Sequence, residues 1–269
     1  MHRLAFAVLG FLMLTGSLAA APAADAWRFW DAHDAASTTT LDHAPWTRLI
    51  QTYRTVGADG VARFAYGRVT GADRAALQAY LAGLQAVAAR GLQRPEQMAY
   101  WINLYNAQTI ETVLAHYPVA SIRDIRISPG LFSSGPWGRK LLRVEGQDLS
   151  LDDIEHRILR PLWRDPRIHY AVNCASIGCP DLAPQAFVAA TLEADLDRAA
   201  RAFVAHPRAV RVEQGRLVLS SIFDWFKEDF GDLRKHLLQY ATGEAAAALA
   251  QGATIASYRY DWALNDARP

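Results

Sequence analysis

Charge of one sign, lysine, cysteine and long apolar runs are all scarce in this chain, and each scarcity removes a class of function. The 269 residues carry 28 Lys and Arg against 27 Asp and Glu, a formal net charge of +1. No basic cluster of the kind that coats phosphates is present, so nothing in the charge argues for nucleic acid. Lysine stands only at 140, 227 and 235, an arginine preference that reads as a coding bias and not as a binding feature. Beyond the N-terminus no apolar stretch approaches the roughly 20 residues a membrane-spanning helix needs. Cysteine is limited to Cys174 and Cys179, which confines any thiol chemistry to one short segment.

What is present describes a folded chain. A hydrophobic content of 51%, with 10% aromatic and 20% charged residues, is enough for a sizeable core and excludes disorder. His2 and Arg3 precede an apolar run over residues 4–18 and Ala-rich sequence ending Ala24-Asp25-Ala26. This pattern is expected of a secretory signal peptide over residues 1–26, cut before Trp27, with Ala21-Pro22-Ala23 as a second possible cut. No cysteine lies near the cut to carry a lipid, so the mature chain is expected to be soluble, without a membrane anchor, and periplasmic or extracellular.

Apolar spacing predicts helices over about residues 44–53, 71–89, 95–116, 150–161, 191–205 and 222–230, with one or two more over 233–249. The 95–116 helix is apolar on nearly every side and is expected at the centre. Turns at Glu145-Gly146 and Gln214-Gly215 separate short strand pairs that read as hairpins, and further strands are expected near 61–66 and 254–262. The expected class is α+β, a mostly helical single domain over residues 27–269 (core about 46–265) with a small antiparallel sheet built from hairpins. A Gly/Pro/Ser-rich loop over residues 129–138 is expected to border a pocket.

The stretch Ile168-His-Tyr-Ala-Val-Asn-Cys-Ala-Ser-Ile-Gly-Cys-Pro180 gathers a thiol, an imidazole and a carboxamide, the parts of a cysteine nucleophile with its base and orienter. Three accounts of its cysteines stay open: a Cys174–Cys179 disulfide favoured by export, a catalytic Cys174, and a metal site formed with His156 and His169, whose spacing matches no familiar zinc pattern. No cofactor is implied. His169 and Asn173 share a face whether the segment is strand or helix, and His156 is the competing base, placed toward the polar flank of its helix. Glu155 falls inside that helix's apolar arc, where it can orient a histidine or act as an acid. Asn103 and Asn106 stand in the apolar central helix. Their bland role is to pin a neighbouring backbone, and their functional role for Asn106 is an oxyanion or substrate contact. Phe223, Trp225, Phe226 and Phe230 read as core, and Asp224 and Asp261 as caps or as anchors for a histidine.

Five motifs in order, Trp101-Ile-Asn-Leu-Tyr-Asn-Ala107, Asp153-Ile-Glu-His-Arg-Ile-Leu159, the Cys stretch above, Ser221-Ile-Phe-Asp-Trp-Phe-Lys-Glu-Asp-Phe230 and Tyr260-Asp-Trp-Ala-Leu-Asn265, resemble the family called domain of unknown function 547. The likeness runs over about residues 46–265, with Ala263 where the pattern has Ser. It implies exported bacterial members and brings no activity with it. Two functions follow from the residues: a thiol-dependent hydrolase or acyl transferase with Cys174 as nucleophile, His169 or His156 as base and Asn106, Asn173 or Asp261 as orienter or oxyanion donor; or a non-catalytic periplasmic module, stapled by a Cys174–Cys179 disulfide, that binds a small molecule, peptide or glycan. Aromatics around the sulfur with no histidine in reach would favour the second.

Overall fold

The central helix organises the chain. In the computed structural model, which describes residues 22–130 and 133–267, it follows α1 (Ala44–Tyr53), the strand pair β1 (Arg54–Val56) and β2 (Ala62–Phe64), and α2 (Gly71–Gln85). It is α3 (Arg94–His116), opened by Pro95 in its first turn, where the missing N–H costs nothing. Seventeen of its 23 residues are buried, so its polar side chains must find partners inside. Gln97 bonds the carbonyls of Ala32 and Ala89, and Glu96 accepts from the Leu41 amide. α2 begins where the Thr70 hydroxyl accepts from the Asp73 amide and stops at Gln85, short of the expected 89.

The hairpin of β3 (Leu142–Val144) and β4 (Gln147–Leu149) turns on Glu145 and Gly146, both at positive φ. The hairpin of β5 (Val210–Glu213) and β6 (Arg216–Ser220) does the same at Gln214 and Gly215. Between them lie a π-helical segment (Asp153–Leu159) running into α4 (Arg160–Trp163), then α5 (Ile168–Ala171) and α6 (Leu192–Val204). The expected 222–230 helix is two pieces, α7 (Ile222–Trp225) and α8 (Lys227–Phe230), broken at Phe226 with φ −115°. α9 (Leu233–Leu238), α10 (Gly243–Ala250) and β7 (Ile255–Arg259) complete the chain. β7 joins β6 in parallel, which the hairpin pattern did not foresee. The class is mostly helical α+β with two- and three-stranded sheets.

Two apolar clusters result. One surrounds α3 and includes Trp30, Trp46, Phe64, Trp101 and Tyr105; the other joins Tyr170, Phe203, Phe223 and Phe230 to the β5–β7 sheet. α6 is amphipathic and feeds both, with Leu192 and Leu196 in the first and Ala200, Phe203 and Val204 in the second. The loop after α5 packs Val172, Ala175, Leu182, Ala186 and Phe187 into the first cluster. Most of the expected signal peptide, residues 1–21, lies outside the described residues. Downstream of the expected cut, Trp27 donates its amide to the Arg157 carbonyl and Trp30 is fully buried against Trp101.

Candidate functional site

Residues 173–180 form a tight turn whose shape is imposed from two sides. From below, the Asn106 amide donates to the Ala171 carbonyl (2.9 Å) and its oxygen accepts from the Asn173 N–H (2.8 Å). The buried carboxamide thus substitutes for a backbone partner on both groups. Asn103, one turn earlier, clamps Phe187 the same way. Within the turn the Asn173 side chain donates to the Pro180 carbonyl and accepts from the Ala175 amide. From above, the segment after β7 lies across it: Ile177 and Gly178 donate to the carbonyls of Ala263 and Asp261, and Asn265 donates to Ala175. A Cβ on Gly178 would sit 2.7 Å from the Asp261 nitrogen, so only glycine allows this approach. The Ala263 contact is through backbone, which explains why Ala serves where the family pattern has Ser.

The clamp delivers Tyr260 to the sulfur. The Cys174 Sγ lies 3.0 Å from the Tyr260 hydroxyl and 3.2 Å from Ser176 Oγ, and those two hydroxyls are 2.8 Å apart. The Cys179 sulfur is 3.1 Å from that of Cys174, and it also receives the Cys174 backbone N–H at 3.0 Å. Both thiols are free, so the expected disulfide is not formed. The Cys179 thiol, then the Ser176 and Tyr260 hydroxyls, hydrogen-bond the Cys174 sulfur and hold it below the ordinary thiol range, against burial and the Glu155 carboxylate, which push it up. Burial, reinforced by charge on Cys174, drives Cys179 the other way. Burial and the two sulfurs also keep Tyr260 protonated, so its O–H remains a donor. Cys174 is thus the more acidic thiol of the pair, while Cys179 and Tyr260 hold their protons more tightly.

The histidines lie apart from the sulfur. His169 Nε2 bonds Asp229 Oδ2 at 2.7 Å, and its Nδ1 stands 4.0 Å from Glu155. Arg160 joins Asp229 at 2.5 Å and His156 Nδ1 at 3.1 Å. Burial alone would raise the Asp229 carboxyl, but the hydrogen bonds from His169 and Arg160 outweigh it and hold it at about 2. Phe226, freed by the helix break, stacks over His169 (4.2 Å) and His156 (5.9 Å). Burial depresses His156 to about 4, leaving it neutral near pH 7. Nearby, burial and the Glu155 and Asp153 carboxylates push Asp152 up to about 7.

Several expectations are therefore corrected. His156 is buried, not on a polar flank, because the π-helical segment bonds five residues back and rotates side chains away from their α-helical positions. Neither His169 nor His156 bonds Cys174. Asn106 has both amide ends on backbone and positions the turn, while the Asp261 side chain faces outward to the Ala263 amide and contributes only its carbonyl. The set His156, His169, Cys174 and Cys179 does not converge, and among the described residues no three such side chains form a metal-sized group. Glu155 accepts from Tyr105, faces His169 and acts electrostatically on Cys174.

Ser176, Tyr260, Tyr105 and Asp229 were not picked out by sequence reasoning. Tyr260 and Ser176 stood inside quoted motifs, but their meeting across 84 positions is a product of the clamp. Trp225 is also placed differently from the expected core position. With Tyr260 and Trp262 it makes a half-buried aromatic group, ring centres 4.6–5.6 Å apart, and Trp137 from the 129–138 loop touches Trp262 at 5.9 Å. Two surface clefts lie elsewhere, one beside Arg216 and Arg259, the other beside Trp163 and Tyr240.

Residues 89–204 match the family model described as Protein of unknown function, DUF547. The matched segment runs from just before α3 to the end of α6, so it includes Asn106, Glu155, His169 and both cysteines, while Asp229 and Tyr260 lie beyond it. No curated protein and no solved structure matches the chain.

Proposed function

The chain belongs, through residues 89–204, to the DUF547 family, which supplies no activity to transfer, and we propose that it is a thiol-dependent hydrolase or acyl transferase with Cys174 as its nucleophile. The observation that carries this reading is the convergence of the Ser176 and Tyr260 hydroxyls and the Cys179 thiol on one sulfur. A thiolate stabilised by three neutral donors needs no histidine bonded to it. The Cys174 thiolate attacks the acyl carbon, an S–C bond forms as the bond to the leaving group breaks, and Tyr260 gives its proton to the leaving group and regains it from solvent. Glu155, which faces His169 and acts electrostatically on Cys174, would take the proton of the water or acceptor whose attack breaks the S–C bond and frees the thiolate. The aromatic group at Trp225 and Trp262 borders the nucleophile and would seat the non-reacting part of a small-molecule, peptide or glycan substrate. The apolar N-terminal run supports a place outside the cytoplasm.

The test is p-nitrophenyl acetate with the reduced protein, read by product release and intact mass. An acetyl adduct mapping to Cys174, absent from Cys174→Ala, is the expected result. Turnover equal in the two proteins, with no adduct, would sink the proposal. A second reading, a non-catalytic binding module, is favoured by the aromatic rim together with the lack of a histidine on the sulfur. It predicts ligand binding that survives Cys174→Ala unchanged.

A further inference from the structure

The two thiols differ in a way that acyl transfer does not use. Cys174 is partly exposed, whereas Cys179 is buried at 5%, and their sulfurs are in contact at 3.1 Å without a bond. The Cys174 N–H, pointing at the Cys179 sulfur, holds the second thiol against the base of the first residue. The Asn106, Asn173 and Asn265 contacts keep the turn that does this. An oxidant arriving from solvent therefore meets Cys174 first, with Cys179 already behind it. We propose that this pair is a hydroperoxide-reactive site, in which Cys174 is oxidised to a sulfenic acid and Cys179 resolves it as an intramolecular disulfide.

The steps balance. The Cys174 thiolate attacks one oxygen of ROOH; an S–O bond forms, the O–O bond breaks, and the departing alkoxide takes a proton from the Tyr260 or Ser176 hydroxyl, which solvent restores. The Cys179 sulfur then attacks Cys174; the S–S bond forms, the S–O bond breaks, and the hydroxyl leaves with the Cys179 proton as water. One hydroperoxide and two thiols become one alcohol, one water and one disulfide, the sulfurs losing the two electrons the peroxide gains. An external dithiol reverses the closure. The donors that support the thiolate favour the first step, and the contact distance spares the second any local unfolding. Closure consumes the proposed nucleophile, so oxidation would silence acyl transfer, but the inference needs the two thiols and a hydroxyl beside them and does not depend on acyl transfer.

The experiment treats the full chain, reduced and freed of reductant, with one equivalent of hydrogen peroxide and reads intact mass and peptide maps. The wild-type protein should lose two hydrogens and both alkylatable thiols, and dithiothreitol should restore them. In Cys179→Ser, dimedone should label Cys174; in Cys174→Ser, Cys179 should stay unlabelled. A wild-type protein that keeps both thiols, or gains oxygen on Cys174 without losing the two hydrogens, overturns the proposal, as does dimedone on Cys179. The wild-type mass needs no variant, so a misfolded variant cannot shelter the idea. Disulfide closure without acetylation by p-nitrophenyl acetate would support this site and remove the acyl-transfer reading. Acetylation without closure would do the reverse.

Discussion

Replacing Tyr260 with Phe removes one hydroxyl and leaves the ring that contacts Trp225 and Trp262. The lost group lies 3.0 Å from Cys174 Sγ, and a hydrogen bond to a charged acceptor is worth about 1.5–3 kcal/mol. Ser176, 2.8 Å from the phenol, is released from its own contact with Tyr260 and still donates to the sulfur, so the lower end of that range applies. About 1.5 kcal/mol against the thiolate means roughly tenfold less of it on the acidic side of its titration. Iodoacetamide alkylation of Cys174, followed by mass at several pH values, should therefore run about tenfold slower in Tyr260→Phe at low pH and converge with wild type at high pH. The acid limb moves to higher pH because the charged form has lost a donor. An unchanged pH profile, in a variant with unaltered thermal stability, would mean that the hydroxyl does not support the thiolate and that the donor argument is wrong.

Asn106 and Asn103 make matched two-bond clamps on different loops, so Asn106→Ala and Asn103→Ala should each lose about 2–4 kcal/mol in urea unfolding, through buried backbone groups left unpaired. Only Asn106→Ala should also change the alkylation rate of Cys174; equal effects would refute the assignment of Asn106 to the thiol turn. Gly178→Ala places a methyl against the Asp261 backbone and should cost about 1–3 kcal/mol and slow alkylation by displacing Tyr260, with differential scanning calorimetry as the check. His43 and His156 are held by burial at about 4, below their ordinary 6.5. Between those pH values the unfolded chain binds protons the folded one refuses, so each histidine contributes a loss of stability as pH falls from 6.5 toward 4. The gap in unfolding free energy between wild type and His43→Gln should thus shift in favour of the variant across that window, and a pH-independent gap would refute the burial argument.

The secondary structure was largely legible because it depends on local rules. The apolar spacing of Trp46, Leu49, Ile50 and Tyr53 marks α1, Pro95 marks the start of α3, and the turn residues Glu145-Gly146 and Gln214-Gly215 fix both hairpins. Where local rules have close competitors, the reading slipped. Nothing in the residues 151–159 announces i→i+5 bonding over the ordinary helix, yet that choice turns His156 inward. The break at Phe226 accompanies its ring packing on His169, a contact 57 residues distant in sequence.

The sequence by itself determined that thiol chemistry, if any, is confined to Cys174 and Cys179, that Asn106 is buried, and that Glu155 is a carboxylate on an apolar face. These follow from residue type and periodicity within a single element. Only the tertiary structure decided which groups meet the sulfur. Tyr260 reaches it because the segment after β7 crosses the turn at Gly178, and His169 misses it because Asp229, 60 residues later, takes its free nitrogen. A hydrogen bond needs two groups within about 3 Å, and when they come from distant parts of the chain, the packing that places them cannot be read from either segment alone.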